Sequence, residues 1–219
     1  VTAISTDTLT ITRAQEGTSA RTVVVGDQIA ATITAKTLTD AENSVLIYDS
    51  VLGADAANFD VSSISATYKH LQLMLSCRSS RAANNNDSLT MRFNNDSGAN
   101  YDIQYHQALG ATNAQGEAFA QTSFSNAGGA PAVGAMPAAT SPTNSRAQVA
   151  IDILNYAETT FRKNFTSRCT AKYTEAAQGL RIWSAAGEWR STAAVDRITL
   201  FPVFGNFLTG SRLTIYGMN

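Results

Sequence analysis

The chain has 219 residues, of which 44% are hydrophobic and only 15% charged, with a net charge of −1. That charged share lies below the roughly 25% of an average soluble chain, and the scattered basic residues leave no electrostatic footprint for nucleic acid or an anionic membrane. No apolar run approaches the ~20 residues of a membrane span or resembles a signal-peptide core, so no membrane insertion is expected. The polar surface must come from Ser, Thr, Asn and Gln, which suits strands and turns better than solvated helices.

Residues 8–12 (TLTIT), 22–25 and 28–34 (QIAATIT) are short, β-branched and separated by turn signals at Glu16-Gly17 and Gly26-Asp27. They predict an N-terminal β meander, with a boundary in the polar stretch 36–44. This gives a small module over 1–43, expected to be incomplete upstream because the chain opens on Val1 and not on Met, and a larger domain over 44–219. In the larger domain 44–52 is a strand candidate. HLQLMLSCR (70–78) alternates cleanly, with Leu71, Leu73, Leu75 and Cys77 on one face. The same period of two recurs in 88–94, 101–109, 147–154 and 163–174, and GLRIWSA, DRITLFPV and SRLTIYG complete the series. Short runs with one apolar face predict half-buried antiparallel strands, and their number predicts an all-β sandwich or jelly roll. Cys77 and Cys169 each fall on an inward-reading position and are expected to be separate buried thiols.

Residues 110–146 break the rhythm. They are rich in Ala, Gly, Ser and Pro, with Phe119, Phe124, Val133 and Met136 as apolar handles. Two readings stand for this long insertion. It is a crossover lying on the sandwich, or a segment buried against a neighbouring copy or partner, which makes those four residues candidate subunit-interface positions.

Signals for catalysis are poor. His70 and His106 sit on polar faces of predicted strands, and there is no nucleophile elbow, phosphate loop or zinc spacing. No cofactor and no catalytic or metal site is expected. The acids Asp49/Asp55 and Glu188/Asp196 are the pairs that would have to flank a glycosidic bond in a glycan hydrolase. RFNNDSGANYDIQY (92–105) supplies only a fragment of a calcium loop, without the terminal Glu. Its Asn, Asp and Gly tolerate positive φ, so a hairpin between 88–93 and 101–107 is predicted. Trp189, Tyr101 and Tyr105 are the candidate surface rings for stacking on a sugar or receptor, Trp189 best because AAGEWRS reads as a loop.

Two stretches carry a resemblance. TDTLTITRAQEGTSARTVVVGDQIAATITAKTLTD (6–40) resembles a module of bacteriophage virion proteins, in which a Thr-rich strand, a Gln-Glu-Gly-Thr turn and a Gly-Asp step follow one another. Here Ala14 stands where that turn usually has Gly, and in that family more β structure precedes this point. Residues 64–107 and 205–219 are similar to a β-sandwich of phage tail-fibre-like and other virion appendage proteins. The shared marks are Ala66-Thr67-Tyr68, Arg78 and Arg81, the run from Phe93 to Tyr101, and the closing Gly210-Ser211 with Ile215-Tyr216-Gly217. The resemblance implies a structural protein of the virion with no catalysis. It further implies a homotrimeric tail fibre or tail-associated appendage in contact with other virion proteins, acting in attachment to a host surface glycan. A capsid-decorating or head-fibre protein is the alternative, and a carbohydrate-binding module the reading from another class.

Overall fold

In a computed structural model of the chain, the residues described are 3–5, 8–10, 44–124, 132–176 and 179–219. The chain divides into two compact units, Val1–Asn43 and Ser44–Asn219. In the first, β1 (Ala3–Ser5) and β2 (Thr8–Thr10) pair antiparallel. The meander strands predicted at 22–25 and 28–34 lie outside the described residues.

The second unit contains β3 (Ser44–Val51), β4 (Phe59–Val61), β5 (His70–Cys77), β6 (Asn86–Phe93), β7 (Tyr101–Leu109) and β8 (Thr112–Gln121). These are followed by β9 (Gly134–Pro137), β10 (Ala147–Ile153), β11 (Lys163–Lys172), β12 (Leu180–Trp189), β13 (Ile198–Pro202) and β14 (Arg212–Met218). They form two antiparallel sheets: eight strands in the order β3-β14-β5-β10-β11-β12-β7-β8, and four in the order β4-β13-β6-β9. The described residues contain no helix. The architecture is an all-β sandwich with unequal sheets.

Alternation decides which face each strand buries. On β5 the odd residues Leu71, Leu73, Leu75 and Cys77 are buried and Met74 is exposed; on β11 Phe165, Ser167, Cys169 and Ala171 are buried. These inward rows meet Leu89, Met91 and Phe93 of β6 and Ile198 and Leu200 of β13 in one continuous core. The sheets are also tied by polar bonds: Ser167 Oγ donates to the Val133 carbonyl at 2.6 Å, and Cys169 Sγ lies 3.0 Å from the Ala135 carbonyl.

Cys77 and Cys169 are both free and buried. Cys77 is opposite Ala147 and Cys169 opposite Val149, so β10 lies between them. Two interstrand spacings of about 4.8 Å put the Cα atoms beyond the ~7 Å that a disulfide spans. Burial pushes both thiols up, Cys169 to about 11.

Two expectations change. The insertion 110–146 contains two strands: β8 returns along β7 through a two-residue turn in which Gly110 takes φ +57°, and β9 forms an edge of the smaller sheet beside β6. And 92–105 is not a hairpin, because β6 belongs to the four-stranded sheet and β7 to the eight-stranded one. The loop between them arches from one layer to the other.

Candidate functional site

That arch is built by its own side chains. Asn94 and Asn95 adopt φ of 51° and 55°, the left-handed region that asparagine tolerates. Asn94 Nδ2 donates to the Ala194 carbonyl at 2.7 Å, and its Oδ1 accepts from Asp196 N and Arg197 N. Asp96 accepts from Gly98 N (2.8 Å), Asn100 Nδ2 (2.9 Å) and Trp189 Nε1 (2.7 Å). Burial opposes ionisation of Asp96, but those three donors outweigh it and hold the carboxyl below its usual range. The oxygens that a cation would need are already committed to the loop, and the described residues contain no group of three or more His, Cys, Asp or Glu suited to a metal.

The proposed surface rings are core residues. Trp189 and Tyr101 are 3% and 0% exposed and Tyr105 is 9% exposed. The physical reason is register. β12 runs through AAGEWRS instead of ending before it, and steps of two from Trp183 carry Trp189 to the inner face opposite Tyr101. Tyr101, Phe93, Phe124 and Trp189 pack with ring centroids 4.7–6.4 Å apart, and Tyr105 stacks on Trp183 at 4.3 Å. Burial pushes the Tyr101 hydroxyl well above the usual phenol range, and it donates to the Asp96 carbonyl at 3.0 Å. Neither ring nor hydroxyl faces an outside ligand.

The four interface candidates separate. Phe124, Val133 and Met136 are fully buried within the chain, because residues 122–124 and β9 fold back onto their own sandwich; they offer no surface to a neighbour. Phe119 is 60% exposed beside a bulge in the β7–β8 pairing, where Ala120 takes φ 50°.

Three of the four acids named for glycan hydrolysis, Asp49, Asp55 and Glu188, are also committed elsewhere. Asp49 accepts a two-point bond from Arg212 (2.8 and 2.7 Å), and Asp55 accepts from Thr209 N. Glu188 pairs with Arg162 at 2.8 Å. Two further two-point pairs, Arg190–Asp102 and Arg197–Asp60, join segments distant in sequence. Bonds from Arg212 and Arg197 hold Asp49 and Asp60 below the usual carboxylate range. Of the histidines, His70 accepts at Nδ1 from Asn155 N at 3.1 Å, and His106 stands exposed on the outward side of β7.

What remains is the outward face of the eight-stranded sheet, which sequence reading passed over as merely polar. Register lines up Thr214, Met74, Ala150, Arg168, Ser184 and His106 in one row across the strands. The next row in one direction holds Arg212, Ser76, Gln148, Thr170 and Ile182; in the other it holds Tyr216, Gln72, Asp152, Thr166, Ala186 and Gln104. An open depression over Ala150 is lined by Met74, Arg168, Ile182 and Tyr216. The signal available in the sequence was the apolar residues at outward positions, Met74 and Ile182. Such a face can hold a broad partner surface; Ser184 and His106 are neighbours on it, with no hydrogen bond between them among the described residues.

Comparisons with protein-family models, with curated proteins and with solved structures found no match to this chain.

Proposed function

We propose that this chain is a structural, non-enzymatic subunit of a bacteriophage virion, a homotrimeric tail fibre or tail-associated appendage that contributes to host attachment. The observation that carries the reading is what the residues of the resemblance do in the fold. Marks far apart in sequence meet as scaffold: the Tyr68 ring lies where a Cβ on Gly217 would come within 2.3 Å, and Asp96 and Tyr101 build the arch onto Trp189. Arg78 and Arg81 brace neighbouring loops, Arg78 on four backbone carbonyls and Arg81 over the Phe204 ring at 4.0 Å. These residues specify a sandwich, which suits a protein whose work is to present surface.

Burial of Trp189, Tyr101 and Tyr105 counts against the carbohydrate-binding module, which needs exposed rings. The test is an electron cryo-microscopy map of the particle carrying the chain, together with the solution mass by light scattering. Threefold density at the tail and a mass three times that of the chain are expected. Density on the capsid lattice would favour the decorating protein, and a monomer at all concentrations contradicts the trimer.

A further inference from the structure

Of the large hydrophobic side chains exposed among the described residues, Leu46, Val51, Met74, Leu180 and Ile182 share one surface, the outward face of the eight-stranded sheet. Ile182 is 61% exposed and Met74 50%. Scattered single apolar residues are ordinary on a surface, whereas a concentration on one face marks an interaction site. Eight strands of this length present about 800 Å², which matches the ~800 Å² that each partner gives to a standard interface.

The charges on this face are divided along the strand direction. Arg168 stands in the central row with Ala150 and Ser184 on either side in register. It has no ion pair or hydrogen bond among the described residues, and its small neighbours leave the guanidinium clear. One row along, the charges are acidic. Asp152 accepts only from Gln72, at 3.0 Å, and Glu117, in register with Gln104, has no partner among the described residues. The other charges at the margins are already paired, as Arg212–Asp49, Arg162–Glu188 and Arg190–Asp102. Unmatched charge on the face, among the described residues, is thus one cation and two carboxylates: Asp152 lies one strand and Glu117 three strands from Arg168, each two residues along, or about 8 and 16 Å.

We propose that this face is where copies of the chain join, head to tail, with Arg168 and Ile182 of one copy against the row of the next that carries Asp152 and, four strands away, Glu117. The inference rests on the trimeric reading above and locates its interface. A face that carries both a cation and its acceptors, displaced along the strands, is complementary to itself only when neighbours are offset. A two-fold pair and a rotational ring both provide that offset, and the ring is the one that the trimeric reading requires. Apolar side chains at the centre supply the burial, and the charges fix orientation and exclude the wrong register.

The experiment measures mass and dissociation constant by light scattering and sedimentation, for the wild type and four variants. Arg168→Glu, Ile182→Asp and the pair Asp152→Lys with Glu117→Lys are each expected to weaken assembly by more than about tenfold. Combining Arg168→Glu with Asp152→Lys and Glu117→Lys restores assembly to within a few-fold of wild type, because the charges are exchanged and the shape is kept. All positions face outward, and circular dichroism checks that each variant retains its strands. A wild-type trimer indifferent to all of these substitutions overturns this interface and leaves the trimeric reading standing. A wild type that remains monomeric overturns the trimeric reading itself, and a dimer overturns the head-to-tail arrangement.

Discussion

Arg78 is the cation whose removal the structure predicts most sharply. The residue is 8% exposed and has no carboxylate partner among the described residues; Nη1 donates to the carbonyls of Pro142 (2.5 Å) and Ser145 (3.0 Å), and Nη2 to those of Ala138 (2.8 Å) and Ser141 (3.0 Å). One side chain at the end of β5 thereby fixes the course of residues 138–145. Burial lowers the Arg78 pKa, with Arg146 nearby acting in the same direction, yet the group stays charged at any ordinary pH. In Arg78→Ala, Ala138 O and Pro142 O still accept from Ser141 N and Ser145 N. Ser141 O loses its donor in the buried part of the cage, at a cost of about 1–3 kcal/mol for an orphaned buried carbonyl. The Ser145 carbonyl is partly exposed and recovers most of its bond from water. Lost packing of the aliphatic stem adds to the cost, and release of a desolvated cation offsets part of it. The balance is a destabilisation of about 2–3 kcal/mol, dominated by the orphaned carbonyl. For a domain of this size that lowers the melting temperature by roughly 4–12 °C. Urea unfolding followed by circular dichroism reads the free energy directly, and Arg78→Lys should fall between the two because it keeps the charge but loses the fork. A loss below about 0.5 kcal/mol in Arg78→Ala would refute the reasoning, since it would mean the cage holds without its cation.

Three other outcomes follow from packing and charge. Gly187→Ala puts a Cβ 2.5 Å from the Phe165 ring and 2.6 Å from the Asp102 carbonyl, and the backbone oxygen cannot rotate away; a loss of about 1–3 kcal/mol is expected in thermal unfolding. Cys77 and Cys169 should resist a thiol reagent in the native protein and react, both of them, once urea unfolds it; fast native labelling would contradict their burial and raised pKa. In the folded chain Asp49, Asp60, Asp96 and Asp102 are held below the usual carboxylate range by the donors around them. A depressed carboxylate stabilises the fold above its unfolded pKa, and that contribution disappears as pH falls through the folded value. Stability should therefore decline below about pH 4, and Asp96→Asn should make the decline shallower in acid titrations of the melting temperature.

Local alternation made most of the sandwich legible. In β5 and β10 every second residue is apolar, in β11 Phe165, Cys169 and Ala171 keep the same phase, and a period of two has only one way to bury them. β8 and β9 were not legible, because Thr112–Gln121 is made of small and polar residues apart from Phe119 and Gly134–Pro137 is too short to alternate. Their strand form comes from β7 and β6, whose backbone groups need partners. Trp189 was misplaced for a similar reason: its flanking Gly187 and Arg190 look like a loop, yet Gly187 is there to admit the Phe165 and Phe124 rings.

The residues alone determined that the chain would be all-β and that each of its two thiols would face inward, since those depend on side-chain type and spacing within a strand. Which strands pair was decided only by the tertiary structure. It placed 92–105 as an arch between layers, drew the aromatic rings inward and brought Arg168, Asp152 and Glu117 onto one face from three different strands. Pairing is a choice among partners distant in sequence, made by the core as a whole, and no single stretch carries it.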